Sequence, residues 1–442
     1  MPRLGLLAAL APIPLAIFAW LIGMVFTFFP PEVYSKLIRE PDIMFGNFET
    51  LGYMTLCIVA FLGGALAVQQ TTYKMRISQQ ISLFKWSAYY LAALPFLIIS
   101  ILGSIVSIRV YLAVLPLDQI LVALTGHGSL LYATAGLKSD ISGSGISWVA
   151  AVTTASCSWS LWLWLQRSGN RARRLVLGLM LSGAILSQFF ASLLTLTRTP
   201  ILILLMSLGV VWLLDLSYRG KLNVRRSTFI VIVGLLAGLL LFGGVEQGRS
   251  TPTGNKGNFI VSLVGYFPGA YNRLAAILDH KLLLDNAGSS YYILNGIWLF
   301  PGASAFNLIE TGKSWGLNLP SDSYSNWIKS FQTTRNAGLN GGLTWTTAYG
   351  AVAAETGWWG IVFFALYGAV SQLIWRMFLQ GHQFGVIIYP IFAVAQLQWH
   401  ATLFVMRRET FIGLMVLGGL VVAQSFWLNY GRSFSRTVRH NN

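Results

Sequence analysis

Long apolar stretches alternate with short polar connections along most of the chain. Each stretch is about 17–25 residues long, which is the length that an α-helix needs to cross a bilayer. The pattern predicts about ten transmembrane helices, and up to twelve because residues 110–125 and 340–354 are also fairly apolar. The ten predicted spans are residues 8–29, 51–68, 84–108, 147–166, 175–196, 200–218, 227–245, 356–375, 384–405 and 410–430. The predicted fold class is therefore an all-α polytopic membrane protein.

One polar segment, residues 246–345, interrupts this pattern. It is rich in Gly, Ser, Asn, Thr, Tyr and Trp, and a structureless loop of that length is uncommon in a compact protein. We therefore expect it to be partly helical, with short helices in 259–278 and 324–331. The chain divides into residues 1–245 with seven predicted spans, the loop 246–345, residues 346–430 with three predicted spans, and a basic tail, 431–442.

The distribution of charged residues predicts the orientation of the chain in the membrane. The chain has 30 Lys and Arg against 14 Asp and Glu, is 55% hydrophobic, and has a mean hydropathy of +0.63. In the predicted topology one side carries 16 of the basic residues and a single acid, Asp215. Because short cytoplasmic loops are enriched in Lys and Arg, this side and both termini are predicted to be cytoplasmic. The basic residues are scattered over short loops, which argues against nucleic acid and leaves membrane lipid as a partner.

Arginines on the outer side are candidates for binding an anion. Arg198 lies in the tight junction 196–200, where the final proline suits the first turn of the next helix. A helix N-terminus beside a guanidinium can bind a phosphate. The alternative is an arginine that only marks the membrane interface. Arg273 lies in the large loop, and Arg407 and Arg408 follow the ninth predicted span.

Two residues on the same side are candidates for a general base. Gln396, His400 and Arg407 have the spacing of one face of the ninth predicted helix. A polar stripe of this kind usually faces a bundle interior or a wet cavity, and an interhelical hydrogen bond is the alternative role for His400. Glu355 lies at the outer edge of the eighth predicted span, where its carboxylate would meet both water and hydrocarbon, and we expect this to raise its pKa enough for it to serve as a base. A charge that only stabilises a helix N-terminus is the alternative there.

Arginines, a carboxylate and many aromatic residues on one outer face favour an anionic lipid that carries sugar. Arginine side chains can hold a diphosphate leaving group without a metal ion. Aromatic rings stack on sugar faces while hydroxyl and amide side chains bind sugar hydroxyls. The pattern thus favours a diphosphate-linked glycan as substrate. A base would take the proton from an acceptor hydroxyl, which would attack the anomeric carbon of that glycan.

Three stretches of the chain carry a family resemblance. The first is Thr-Arg-Thr-Pro at residues 197–200, at the start of an apolar span. The second is residues 265–278 and 291–296, which contain tyrosines and glycines. The third is residues 340–360, in which Asn, Thr, Tyr, Glu, Gly and Gly follow one another in this order. Together they resemble the Wzy-type polymerases of oligosaccharide repeat units, which make bacterial O-antigen and exopolysaccharide. The resemblance covers roughly residues 180–430, and it departs from the family at Glu355-Thr356, where Asp-Phe is common.

This resemblance implies an enzyme of the bacterial inner membrane whose active site faces the periplasm. Such an enzyme moves a growing glycan from undecaprenyl diphosphate to a sugar hydroxyl of another undecaprenyl-diphosphate-linked repeat unit. The resemblance further implies that this glycosyltransferase needs no metal ion and no cofactor. It also implies a chain-length regulator and a flippase as further partners.

The resemblance also implies roles for individual residues. The diphosphates would be bound by four arginines, Arg198, Arg273, Arg407 and Arg408. Glu355 is the first choice for the catalytic base and His400 the second. We expect the glycan to contact Tyr271, Asn340 and Tyr349.

Three other functions remain open from the sequence. O-antigen ligases share the architecture and use a loop histidine, for which His280 is the candidate. A metal-dependent transferase that uses polyprenyl-phosphate sugars would need carboxylates such as Glu40 and Asp42 in the first outer loop. A flippase or other transporter is the non-enzymatic alternative, although the sequence has no clear internal repeat.

Overall fold

The structure, a computed structural model, describes residues 5–71, 83–114, 117–118, 152–166, 170–194, 199–220, 264–298, 306–320 and 323–440. Regular structure within these ranges is entirely helical, with three short 3-10 helices besides the α-helices. In chain order the α-helices are α1 (Pro12–Thr27), α2 (Pro31–Ile38), α3 (Phe48–Thr71), α4 (Leu83–Val114), α5 (Thr153–Leu165), α6 (Arg171–Leu194), α7 (Thr199–Tyr218), α8 (Pro268–Leu278), α9 (Asn295–Trp298), α10 (Leu308–Ser314), α11 (Ser323–Asn336), α12 (Thr347–Thr356), α13 (Gly360–Leu379), α14 (Gln383–Leu397) and α15 (Arg408–His440).

Several of these helices are long and apolar enough to cross a membrane. Among the described residues there are five such spans, and six if the pair α1 and α2, bent by 88°, counts as one. The five are Phe48–Gln70, Tyr89–Ala113, Arg171–Leu194, Pro200–Tyr218 and Thr347–Leu379. The all-helical, multi-span class is therefore confirmed, while ten spans remain a prediction.

Some predicted spans differ from the helices that the structure contains. The first predicted span ends in the sharp bend between α1 and α2, where Pro30 and Pro31 interrupt the helix. Only 13 residues of the fourth predicted span form α5 in the described range, and α14 ends at Leu397 rather than near 405. The seventh predicted span, 227–245, lies outside the described residues.

The closest helix pair in the described bundle is α3 with α13. Tyr53 bonds to Gly357, and Arg376 bonds to Gln69, so the two helices run in parallel. Glycines allow this approach, since a Cβ built on Gly64 would lie 1.9 Å from the Ala365 carbonyl oxygen. The predicted topology also has these two spans crossing in the same direction.

One end of the bundle gathers several of the loops that were predicted to be cytoplasmic. The Arg219 guanidinium donates to the Leu165 carbonyl at 2.5 Å and pairs with Asp215 at 2.7 Å. The Tyr218 hydroxyl donates to the Leu379 carbonyl at 2.5 Å, and Arg376 lies at the same end. We refer to this end as the basic end.

The opposite end carries residues 39–48, 264–298 and 339–360, and we refer to it as the loop end. Aromatic side chains are exposed there, with Phe48 at 87% and Trp359 at 79%. Aromatic residues at this level are typical of a membrane–water interface. Within the large polar segment, as far as it is described, helices α8 to α11 alternate with irregular loops.

A candidate functional site at the loop end

Half-buried aromatic rings meet at the loop end, beside the ends of α8 and α14. The Phe267 ring stacks on the His400 imidazole with 4.2 Å between centroids. The Tyr266 ring lies 5.8 Å from the Trp345 ring, and the Arg407 guanidinium lies over Trp345 at 5.1 Å. We refer to Tyr266, Phe267, Trp345 and His400 as the aromatic layer. An aromatic surface with a guanidinium beside it can bind a sugar face and an anion together.

Local sequence explains how these rings are brought together. Pro268 occupies the first turn of α8, which places Tyr266 and Phe267 immediately before that helix. The chain after Trp345 pairs with the segment after α14, because the Thr347 and Ala348 N–H groups donate to the carbonyls of residues 401 and 399. Two segments that are distant in sequence therefore meet edge to edge beside the rings.

Thr347 stands in a strained conformation at this junction. Its φ of 63° lies in the left-handed region, which a β-branched residue rarely adopts. Its hydroxyl oxygen accepts a hydrogen bond from the Gly350 N–H at 3.0 Å, which holds the first turn of α12. Backbone strain of this kind is concentrated at functional sites.

His400 lies beyond the end of α14, and this corrects the predicted polar stripe. Gln396 belongs to the helix, but His400 lies in the following turn and Arg407 ends a 3-10 helix, so the three do not share a helical face. The His400 Nδ1 lies 3.1 Å from the Leu397 carbonyl oxygen. A carbonyl only accepts, so Nδ1 carries the proton and Nε2 is the acceptor of the neutral ring.

Burial sets the charge of His400. It lowers the pKa of the imidazole to about 4, outweighing the hydrogen bond to Leu397, which acts in the opposite direction. The ring is therefore neutral at ordinary pH, with its Nε2 lone pair unprotonated. A neutral histidine can accept a proton from a hydroxyl group, and the burial that lowers its pKa also makes it a weaker base than an exposed histidine.

The arginines predicted to bind diphosphate lie in different surroundings. Arg407 is half-buried, and its guanidinium lies 5.1 Å from the centroid of the Trp345 ring and 5.6 Å from that of the Phe404 ring. Arg408 begins α15, and its side chain lies outside the described residues, as does the whole of Arg198. Arg407 is thus the one predicted diphosphate ligand that the described structure brings to the aromatic layer.

Arg273 is fully buried and forms an ion pair with Glu40. Its NH1 and NH2 groups donate to the two Glu40 oxygens, each at 2.9 Å. Its other N–H groups donate to the carbonyls of Gly269, Asn340 and Leu343, at 2.6–2.9 Å. A guanidinium has five N–H donors, so none remains for a diphosphate in this arrangement. The predicted role of Arg273 in diphosphate binding has no geometric support here.

Glu40 is equally well satisfied and joins three segments of the loop end. Besides Arg273, its oxygens accept from the Tyr34 hydroxyl, the Asn272 amide and the Asn340 N–H. Burial acts to raise the pKa of Glu40, but the charge of Arg273 and these hydrogen bonds outweigh it and hold the pKa below its usual value. The Asn340 side chain also bonds internally, donating to the Ile38 carbonyl at 2.9 Å. Asn340, which was predicted to contact glycan, therefore takes part in the hydrogen-bond network around Glu40.

Glu355 lies near the end of α12, where its carboxylate binds the loop before α9. The Ser290 and Tyr292 N–H groups donate to its two oxygens at 2.7 and 2.6 Å. Gly288 and Ser290 have φ of 78° and 59°, which turns neighbouring N–H groups towards one anion. Glu355 therefore anchors this loop, and both of its oxygens are engaged in doing so.

Three polar side chains lie deeper at the loop end without a hydrogen-bond partner. Tyr271, Tyr349 and Gln396 are all 0% exposed. Both tyrosine hydroxyls and both polar atoms of the Gln396 amide lack a partner among the described residues. A buried polar group left unpaired costs about 1–3 kcal/mol, so such a group requires an explanation.

The residues behind the alternative functions have different surroundings. The Asp42 Oδ1 accepts from the Met44 and Phe45 N–H groups at 2.9 and 3.0 Å, and its buried Oδ2 has no partner among the described residues. Glu40 is held by Arg273. His280 follows α8 as an exposed residue with φ of 58°. No group of three His, Cys, Asp or Glu that could hold a metal ion occurs in the described ranges.

Comparison of the chain with protein-family models, curated proteins and solved structures found no match. Functional inference therefore rests on the residues themselves. Sequence reasoning selected His400 and Arg407 but overlooked the rings of Tyr266, Phe267 and Trp345 as a group. The available signal was their position, since each lies one or two residues before a helix that starts at Pro268 or Thr347.

Proposed function

We propose that the chain is a glycosyltransferase that polymerises lipid-linked oligosaccharide repeat units at the loop end of the bundle. It would transfer a glycan from undecaprenyl diphosphate to a sugar hydroxyl on another lipid-linked repeat unit. In this proposal ten spans cross the bacterial inner membrane, the basic end is cytoplasmic and the aromatic layer faces the periplasm. The substrates would reach the site from the lipid, and a chain-length regulator would be a further partner.

The aromatic layer with Arg407 is the observation that carries this proposal. Sugar rings present apolar faces that stack on aromatic side chains, and a diphosphate needs a cation that can donate several hydrogen bonds. The Arg407 guanidinium lies over the Trp345 ring, 5.1 Å from its centroid, which puts a cation at the aromatic layer. Exposed aromatic side chains, Phe48 and Trp359 among them, occur at the loop end, and such side chains are typical of the membrane–water interface near which a lipid-linked diphosphate would lie.

The proposed step transfers one proton and breaks one carbon–oxygen bond. The acceptor hydroxyl oxygen forms a bond to the anomeric carbon of the donor glycan, and its proton passes to the base. The bond between the anomeric carbon and the phosphate oxygen breaks, and undecaprenyl diphosphate leaves with the electron pair. Arg407 stabilises the negative charge that develops on the leaving group.

His400 is the base that the geometry favours. Its Nε2 is unprotonated at ordinary pH, and the ring belongs to the aromatic layer. Glu355 was the first choice from sequence, but its two oxygens bind the N–H groups of Ser290 and Tyr292. We therefore assign Glu355 to loop anchoring and keep Arg198 and Arg408 as candidates for the second diphosphate.

Polymerisation by purified variants tests this assignment. We expect Arg407→Gln to lower kcat/KM for the host's lipid-linked repeat unit at least 100-fold, because leaving-group stabilisation is lost. Arg39→Gln makes the same charge change at an exposed arginine of the loop end and is the control. Equal activity of both variants and the wild type would refute the role of Arg407. Transfer to lipid A core sugar instead of repeat units would favour the ligase.

A further inference from the structure

The turn that carries His400 is held on both sides of that residue by one short backbone segment. The Thr347 N–H donates to the Ala401 carbonyl at 3.2 Å, and the Ala348 N–H donates to the Trp399 carbonyl at 2.8 Å. Trp399 and Ala401 are the residues directly before and after His400. These two hydrogen bonds therefore dock the His400 turn against the segment that follows Trp345.

The left-handed conformation of Thr347 allows both N–H groups to reach the same turn. In an extended strand, successive N–H groups point to opposite sides. Thr346 has φ of −119° and ψ of 9°, and Thr347 has φ of 63°. A residue with ψ near zero followed by a left-handed one directs successive N–H groups to the same side. With extended backbone at Thr347, only one of the two N–H groups would face the His400 turn.

Threonine is an unfavourable residue for this conformation, because its β-branched side chain resists a positive φ. The Thr347 side chain is fully buried, and its hydroxyl oxygen accepts from the Gly350 N–H at 3.0 Å. This hydrogen bond ties the left-handed residue to the first turn of α12. Thr347 thus joins α12 to the His400 turn through its side chain on one side and its N–H group on the other.

We propose that Thr347 is a positioning residue, which docks the His400 turn and thereby fixes the place and the burial of the His400 imidazole. Thr347 acts through the backbone and does not itself touch substrate. This inference rests on the proposed function for the role of His400 as a base. It adds the residue on which the position of that base depends.

The pKa of His400 reports this docking without any measurement of activity. Burial lowers the pKa to about 4, against the opposite effect of the hydrogen bond to the Leu397 carbonyl. The ring that packs on the imidazole, Phe267, is uncharged, and Arg407 is the cation beside the aromatic layer. Undocking would expose the imidazole to water, so its pKa would rise towards the ordinary value of about 6.5.

Two substitutions of Thr347 should undock the turn. Thr347→Pro removes the N–H group and holds φ at about −65°, so neither requirement for docking is met. We expect it to raise the pKa of His400 by about one unit or more. Thr347→Ala keeps the N–H group but removes the hydroxyl that binds the Gly350 N–H. We expect it to raise the pKa in the same direction by a smaller amount.

Two further variants should leave the pKa of His400 unchanged. Thr347→Asn tolerates a positive φ and offers a side-chain oxygen to the Gly350 N–H, so we expect a thermal midpoint equal to or above that of the wild type. Thr356→Ala is the matched control at the other end of α12. The Thr356 hydroxyl donates to the Val352 carbonyl at 2.9 Å, within its own helix, so its loss affects stability without undocking the turn.

Nuclear magnetic resonance of histidine rings in the full chain, purified in detergent, measures the pKa. The spectrum of His400→Phe identifies the His400 signal among those of the five histidines. We expect Thr347→Ala and Thr347→Pro to titrate at higher pH than the wild type. A His400 pKa that is unchanged in Thr347→Ala would overturn the proposal whether or not Thr347→Pro folds. An equal rise in Thr356→Ala would also overturn it.

Polymerisation by the same samples separates this inference from the proposed function. We expect kcat of Thr347→Pro to fall by about 10–100-fold with little change in KM, because the base is misplaced. A wild type that forms no polymer, with the expected pattern of His400 pKa values, would refute the polymerase and leave the positioning of His400 by Thr347 standing. A wild type that forms polymer, with a His400 pKa unchanged in Thr347→Ala, would refute the positioning role alone.

Discussion

At the scale of single residues, the surroundings of an ionisable side chain decide its role. Arg273 donates all five of its N–H groups within the protein and has no exposed surface, whereas Arg407 lies half-buried on the aromatic layer. Two arginines with the same predicted role thus lie in different environments. The first holds the fold together through its ion pair, and the second is the one for which we propose diphosphate binding.

Replacement of Arg273 should therefore affect the fold before it affects chemistry. Arg273→Met leaves the Glu40 carboxylate buried without its countercharge, and we expect a loss of about 3–5 kcal/mol in the free energy of unfolding. The double variant Glu40→Gln with Arg273→Met should lose less, because no charge remains buried. Unfolding in mixed detergent micelles measures both. A single variant as stable as the wild type would contradict this account of the pair.

His400 should make stability depend on pH. Its pKa of about 4 in the folded chain lies below the ordinary value of about 6.5, so the unfolded chain binds more protons between these values. The resulting stability is fully present above about pH 6.5 and is lost as the pH falls towards 4, by up to about 3 kcal/mol.

His400→Phe keeps a ring that can stack on Phe267 but cannot titrate. We expect the free energy of unfolding to fall less between pH 7 and pH 4.5 in this variant than in the wild type. Carboxylates elsewhere titrate in both proteins and cancel in the comparison. Equal losses in the two proteins would show that His400 is not held neutral by its surroundings.

At the scale of elements, glycine determines how closely α3 and α13 approach. A Cβ on Gly64 would lie 1.9 Å from the Ala365 carbonyl oxygen, and one on Gly368 would lie 2.0 Å from the Phe61 carbonyl oxygen. Both obstacles are backbone atoms, which cannot move aside without shifting a helix. Small residues are commonly found where membrane helices pack this closely.

Gly64→Ala should destabilise the protein by about 1–3 kcal/mol, because the added methyl group forces the two helices apart. Gly63→Ala is a close control, since a Cβ at that position meets no atom within 4 Å. The control should be neutral or stabilising by about 0.5–1 kcal/mol, as alanine favours a helix over glycine. Thermal unfolding of the two variants in detergent distinguishes them, and similar midpoints would contradict the packing described.

At the scale of the whole molecule, hydrophobic periodicity predicted helices well and their ends poorly. The predicted span 51–68 corresponds to α3, and the predicted span 175–196 corresponds to α6, because an apolar run of this length has few other stable structures in lipid. The end of α14 depends instead on the backbone pairing of residues 399–401 with 347–348, which no local pattern reveals. The helix prediction therefore extended through His400 when the helix stops at Leu397.

The candidate site was predictable in its residue types but not in its partnerships. His400 and Arg407 could be selected because polar residues are rare beside long apolar stretches. Glu40 and Arg273 are separated by 233 positions, so no spacing in the sequence indicates their ion pair. For the same reason the sequence could not show that the Glu355 carboxylate binds the 288–292 loop.

The most direct test of the central claim is polymerisation by the purified wild-type protein. The protein would be incubated in EDTA with the host's undecaprenyl-diphosphate repeat unit, and the glycans separated on a gel. We expect a ladder of products spaced by one repeat unit. Folded protein that gives no ladder, with or without Mg²⁺, would contradict the proposed polymerase, and a ladder that requires Mg²⁺ would contradict its metal-independent mechanism.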